Sequence, residues 1–240
     1  MARLTRKELK KDPFLSAHYD DVVEFGQENY RAILVALAVV ILVVVAAYSW
    51  KSHKQQQELA ANALLGSALN TFNAYVGPAS EGALGPGTQT FSTATPKYQA
   101  ALKQFSEVIE KYGGQKAAQI ALYHVGVCQA QLGNTAAAVK TLGQASRASD
   151  PEIAALAKLA LADELARTGE IDAAQKIYSQ LASHPTETVP AATAWLSLAN
   201  AERFTHPSAA RQIYERLAKE YSSDTYLAET VKEQLSTLSK

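Results

Sequence analysis

DAAQKIYSQLA at 172–182 and SAARQIYERLA at 208–218 align without a gap and share alanine, alanine, isoleucine, tyrosine, leucine and alanine in register, at an offset of 36 residues. The core of the pattern is Ala174, Tyr178 and Leu181, matched by Ala210, Tyr214 and Leu217. It recurs upstream as Ala138, Leu142 and Ala145 and as Ala101, Phe105 and Val108, so successive leading alanines are 37, 36 and 36 residues apart. Offsets of four and seven place each triple on one helical face. A small residue where two helices cross permits close approach, and the larger residues one and two turns later fill the space beside it.

Each of these helices follows another apolar-striped segment. Leu122, Val125 and Gly126 lie in one that ends near Leu132-Gly133, Leu159 and Leu161 in one that ends near Thr168-Gly169, and Trp195 and Leu198 in one that ends near Phe204. Gly133 and Gly169, again 36 apart, supply the left-handed residue that closes one helix before the next begins. The unit is therefore a helix, a short turn and a second helix. A bundle of unrelated helical hairpins is the alternative. Leu227, Val231, Leu235 and Leu238 predict a final capping helix over the last exposed face.

Toward the N-terminus, residues 32–48, AILVALAVVILVVVAAY, run for 17 residues without a charge, proline or glycine. As a helix this rises about 26 Å, enough with the next two residues to cross a bilayer core. Arg31 and Lys51 bracket it, and Tyr30, Tyr48 and Trp50 stand where aromatic rings favour a membrane interface. A cleaved signal peptide fits poorly, because 31 residues precede the apolar run and the cluster Arg3, Arg6, Lys7, Lys10 and Lys11 is not adjacent to it. An uncleaved anchor is expected. The short basic tail predicts a cytoplasmic N-terminus and an exported C-terminal domain, although a count of only the residues nearest the span favours the reverse.

The whole chain divides accordingly. Residues 1–30 are read as a cytoplasmic tail, with Val22, Val23 and Phe25 in a short helix, and 31–50 as the transmembrane helix. A juxtamembrane helix follows over 51–76, helical to about Tyr75; then come an irregular insertion at 77–96, with four glycines and three prolines, and the repeat domain over 97–240. The expected fold class is all-α.

The helix–turn–helix unit resembles the tetratricopeptide family at Gly126, Gly133, Ala138, Gly169, Ala174, Tyr178, Ala210 and Tyr214. Gln129 stands where the family has tyrosine, the position of Gly126 becomes Ala162 and then Leu198, and the period exceeds the usual 34, so the repeats are degenerate. Taken with Val22-Val23-Glu24-Phe25, Glu28-Asn29-Tyr30, one span ending at Trp50 and then Lys51-Ser52-His53, the order of parts resembles the YfgM-like ancillary subunits of the bacterial SecYEG translocon. That resemblance implies an inner-membrane protein with a periplasmic repeat domain, associated with the translocon and with periplasmic chaperones and folding factors. Similar repeats also occur in other envelope-assembly proteins.

Composition narrows the function classes. Lys plus Arg and Asp plus Glu both number 23, and this balance argues against a nucleic-acid binder. A single cysteine excludes an internal disulfide framework and a cysteine-based zinc cage. The five histidines are scattered; His124 and Cys128 stand at an i, i+4 offset, but two groups are too few for a metal site, and a packed thiol beside a helix-surface imidazole is expected. Asp163 and Glu164 read as a solvated helix edge. No nucleophile elbow, phosphate loop or dinucleotide fingerprint is present, so neither catalysis nor a cofactor is expected. A ligand-binding or enzymatic site within 77–96 is the competing class.

For a binding module, the tetratricopeptide resemblance implies that the first helix of each unit lines the concave face. A step of 36 then sets Tyr123, Leu159 and Trp195 in one row, Val127, Asp163 and Ala199 in the next, and Gln131, Arg167 and Arg203 in a third. The first row is apolar and the third cationic, which suits a partner helix or extended segment with an apolar ridge and an acidic flank. Trp195 packed between units, or the capping helix lying in the groove, is the competing arrangement.

Overall fold

The computed structural model describes residues 29–77 and 89–238. The short tail helix, most of the insertion and the last two residues of the chain lie outside the described residues. Nine helices are described: α1 (Tyr30–Phe72), α2 (Ala94–Tyr112), α3 (Lys116–Gln131), α4 (Thr135–Ala145), α5 (Pro151–Arg167), α6 (Ile171–Ser183), α7 (Ala191–Glu202), α8 (Pro207–Glu220) and α9 (Thr225–Thr237). One pair of two-residue strands, β1 (Tyr75–Val76) and β2 (Thr90–Phe91), joins them in parallel, with Tyr75 opposite Thr90 and Val76 opposite Phe91. The chain is nearly all-α. It forms two compact units that divide within α1, between Gln56 and Gln57.

In the first unit α1 is apolar and exposed on every side over residues 32–48, with Ile33, Leu34, Val35, Leu37 and Val39 through Val45 all open. The helix is long and apolar enough to cross a membrane.

In the second unit, helices alternate as hairpins. The last turns of α1 share a buried cluster with α2, α3 pairs with α4, α5 with α6, and α7 with α8, and α9 lies against α8. Ala101, Ala138, Ala174 and Ala210 have no exposed surface, and their partners Phe105, Leu142, Tyr178 and Tyr214, then Val108, Ala145, Leu181 and Leu217, are buried beside them. The crossing at Gly126 leaves no room for a side chain, since an added Cβ would stand 2.7 Å from the Leu142 side chain. Ala162 and Leu198, 36 and 72 residues later, are also buried at crossings that leave room for them.

The hairpin turns follow from their termini. Gly133 and Gly169 adopt φ of 76° and 90°, the left-handed conformation that ends α3 and α5. Asp150 caps α5 by accepting hydrogen bonds from the backbone N–H of Glu152 and Ile153, with Pro151 in the first turn, a cap worth about 1 kcal/mol. Asp224 caps α9 through the Leu227 N–H. Leu227 and Val231 then bury against the last hairpin, and Arg203 and Arg211 tie α9 down at Gln234 and at the Leu238 carbonyl.

Two boundaries differ from the reading of the sequence. The juxtamembrane helix stops at Phe72 rather than near Tyr75, because the chain turns there to pair β1 with β2; Thr71 is buried and donates to the Gln89 side chain across the junction. The irregular segment also ends sooner than residue 96, with α2 beginning at Ala94. Pro96 is compatible with this start because a first-turn residue needs no backbone N–H.

Candidate functional site

The first helices adjoin one another, α3 meeting α5 and α5 meeting α7, so their outer positions form continuous rows. Along the first row, Tyr123, Leu159 and Trp195 are all half-buried. Leu159 and Trp195 pack among Ile177, Ala194 and Leu198 between hairpins, and the Arg216 guanidinium covers the Trp195 ring at 4.1 Å. Trp195 therefore serves the core and meets a cation of its own chain. In the second row Val127 is half-buried, Ala199 fully buried and Asp163 exposed.

The third row is less available than its charge suggests. Gln131 is exposed, but Arg167 is bound to Glu164 through two hydrogen bonds, Nε to Oε2 at 2.9 Å and Nη2 to Oε1 at 2.6 Å, and reaches Thr135 as well. Arg203 donates to Gln234 at 2.9 Å and lies over the Phe204 ring at 4.3 Å. Both guanidinium groups are committed within the chain.

Asp163 and Glu164 are not a uniform solvated edge. Glu164 is buried, and the Arg167 guanidinium holds its carboxyl below the usual carboxylate range. Asp163 accepts a hydrogen bond from the Tyr178 hydroxyl at 2.6 Å. It keeps open surface yet is crowded by protein on its other sides, and that loss of solvation raises its pKa; the Tyr178 bond acts the other way. Burial, then the Asp163 charge, raises the pKa values of Tyr123 and Tyr178. A parallel bond joins the Tyr214 hydroxyl to Asn200 at 2.6 Å in the next hairpin. The one sequence signal for these bonds is tyrosine at 178 and 214, where the earlier triples carry phenylalanine and leucine, since a buried phenol seeks an acceptor.

This order of hairpins matches known sequence patterns. Residues 24–187 match the tetratricopeptide repeat-like domain, and residues 159–225 match the tetratricopeptide repeat. The chain belongs to the tetratricopeptide repeat-like domain family. No curated protein and no solved structure matches it. Tetratricopeptide repeats are protein–protein interaction scaffolds, and their families are generally non-enzymatic.

His124 departs from the expected surface imidazole. Its ring stacks on Phe105 at 4.8 Å and meets Phe72 and Tyr123 edge-on at 5.0 and 4.9 Å, and its Nδ1 is buried without a partner. Burial lowers its pKa to about 4 and pushes the Cys128 thiol up to about 12. Neither charged imidazole nor thiolate is favoured in this apolar setting. Among the described residues no group of three or more histidine, cysteine or acidic side chains is arranged to hold a metal.

Proposed function

We propose that this protein is a membrane-anchored interaction scaffold, an accessory of the protein translocation machinery that links it to periplasmic folding factors. The observation that carries the reading is that one helix does two things. Its N-terminal turns are apolar on every exposed face, and its last turns contribute Ala61, Leu65 and Ala68 to the first repeat core. Exposed apolar surface of that extent calls for a lipid environment, and the repeats supply side chains for a protein partner. In this reading 31–50 spans the bacterial inner membrane, 1–30 is cytoplasmic, and 51–76, the insertion 77–96 and the repeats over 97–240 are periplasmic. The basic tail supports that orientation; the resemblance to YfgM-like subunits supports the translocon as partner.

The test uses the full chain in cells and in mild detergent. The protein is expected to resist alkaline carbonate and to co-purify with translocon subunits. Ser16→Cys should be shielded from an impermeant thiol reagent and Ser239→Cys labelled once the outer barrier is opened. Native Cys128 is fully buried and adds no background. Carbonate release removes the anchor, reversed labelling inverts the orientation, and a stable set of other envelope proteins without translocon subunits reassigns the scaffold to envelope assembly.

A further inference from the structure

Asp163 differs from the carboxylates of the repeats that are paired with a cation of the chain. Glu107 pairs with Lys111, Asp150 with Lys116 and Glu164 with Arg167, whereas Asp163 has one neutral hydrogen bond, from Tyr178 to its Oδ1. Among the described residues no cation of the chain pairs with it, and its Oδ2 is left to accept from outside. The residue one turn further along α5 is Arg167, the i, i+4 position from which a cation ordinarily neutralises an acidic side chain on a helix. Arg167 is instead held by its two bonds to Glu164 and its bond to Thr135. The fold has therefore turned the nearest matching cation away from Asp163 while the Tyr178 hydroxyl fixes the carboxylate in place.

The surroundings suit a guest cation. Asp163 is the only charged member of its row, between Val127 and Ala199, so the negative charge is focused on one point of an otherwise apolar strip. Tyr123, whose phenol feels the Asp163 charge, stands on the adjoining first helix. An aromatic face beside a carboxylate stabilises an ammonium or guanidinium from two sides. The chain uses the aromatic half of that arrangement for itself at Trp195, under Arg216.

We propose that the first-helix face is anchored by a basic side chain, an arginine or lysine projecting from an extended segment of the partner protein, which seats on Asp163 beside Tyr123. This rests on the reading of the repeats as a protein scaffold, and it replaces a partner with an acidic flank, since Arg167 and Arg203 are both engaged within the chain.

The test measures fluorescence anisotropy of labelled nonapeptides of alternating alanine and leucine, with arginine, citrulline or glutamate at the centre, titrated with the full chain in mild detergent. Citrulline keeps the shape of arginine and removes its charge. The arginine peptide is expected to bind about tenfold more tightly than either of the others, as a charge-assisted hydrogen bond predicts. Asp163→Asn, which keeps shape and can still accept from Tyr178, should abolish that preference with an unchanged melting transition. Equal binding of the three peptides, or an arginine preference that survives in Asp163→Asn, overturns the basic anchor and leaves the scaffold reading standing. Absence of binding by all three counts against both.

Discussion

Along the second helices of the four described hairpins the same alanine recurs at each crossing, and Ala101, Ala138, Ala174 and Ala210 are all fully buried. Along the first helices the equivalent residues vary, with only the step from Arg167 to Arg203 unchanged: Tyr123, Leu159, Trp195; Val127, Asp163, Ala199; Gln131, Arg167, Arg203. The alanine of a second helix lies between its own first helix and the element that follows, so a change of volume is felt on both sides. A first helix also meets the first helices before and after it, yet keeps positions such as Asp163 and Gln131 open on its remaining face. Repetition holds where packing forbids variation.

The contrast breaks most visibly at Tyr178. Tyr178→Ala empties a site fully enclosed in the core and removes the donor that holds Asp163, and is expected to destabilise by about 3 to 5 kcal/mol. Gln131→Ala, on the open first-helix face, should stay within about 0.5 kcal/mol. Denaturant unfolding of the full chain in mild detergent, followed by helix circular dichroism, measures both. Comparable losses from the two substitutions would show that the helices do not differ in the way their burial implies.

The same contrast explains what was legible. All twelve residues of the alanine-led triples are buried, because offsets of four and seven on one face are a statement about the helix alone and need no knowledge of its neighbours. The roles of Asp163 and Glu164 needed that knowledge. Two adjacent helical residues point about 100° apart, and here that buries Glu164, which pairs with Arg167, and leaves Asp163 exposed while it accepts from the Tyr178 hydroxyl. His124 and Cys128 share a face at i, i+4, yet the aromatic rings that enclose His124 come from Phe72 and Phe105 on other helices. The pairing of β1 with β2 involves two residues on each side, too few to show a periodicity.

His124 sharpens the comparison by pH. The equivalent positions 36 and 72 residues on hold Ala160 and Leu196, so only the α3 member of this row titrates. Its folded pKa is lowered to about 4 by burial, against about 6.5 in an unfolded chain. Between those values the unfolded state binds a proton that the folded state does not. The stability is thus fully present above about pH 6.5 and is lost as the pH falls toward about 4, with a slope approaching 1.4 kcal/mol per unit. Allowing for the partial exposure of the ring, the total is about 2 kcal/mol. Urea midpoints measured across that range should fall more steeply for the native chain than for His124→Phe, which keeps an aromatic ring in place. Parallel curves would mean that the imidazole is hydrated in the folded state.

The smallest effect lies in the turn that joins a first helix to a second. Gly133 adopts a φ of 76°, and a Cβ built there meets no atom within 4 Å. Substitution is therefore opposed by backbone conformation alone, whereas at Gly126 it is opposed by the Leu142 side chain. An L-residue in the left-handed region costs about 1 to 2 kcal/mol, and alanine also narrows the unfolded ensemble, which offsets about 0.4 to 1 kcal/mol of that. Gly133→Ala should then destabilise by about 1 kcal/mol. Gly133→Asn should cost less, because asparagine enters this region more readily than alanine. Denaturant midpoints ranked glycine, asparagine, alanine identify the turn conformation as the cause. A neutral Gly133→Ala, or asparagine worse than alanine, would mean that α3 ends by some means other than a left-handed residue, and that the 36-residue spacing of Gly133 and Gly169 reflects no shared turn.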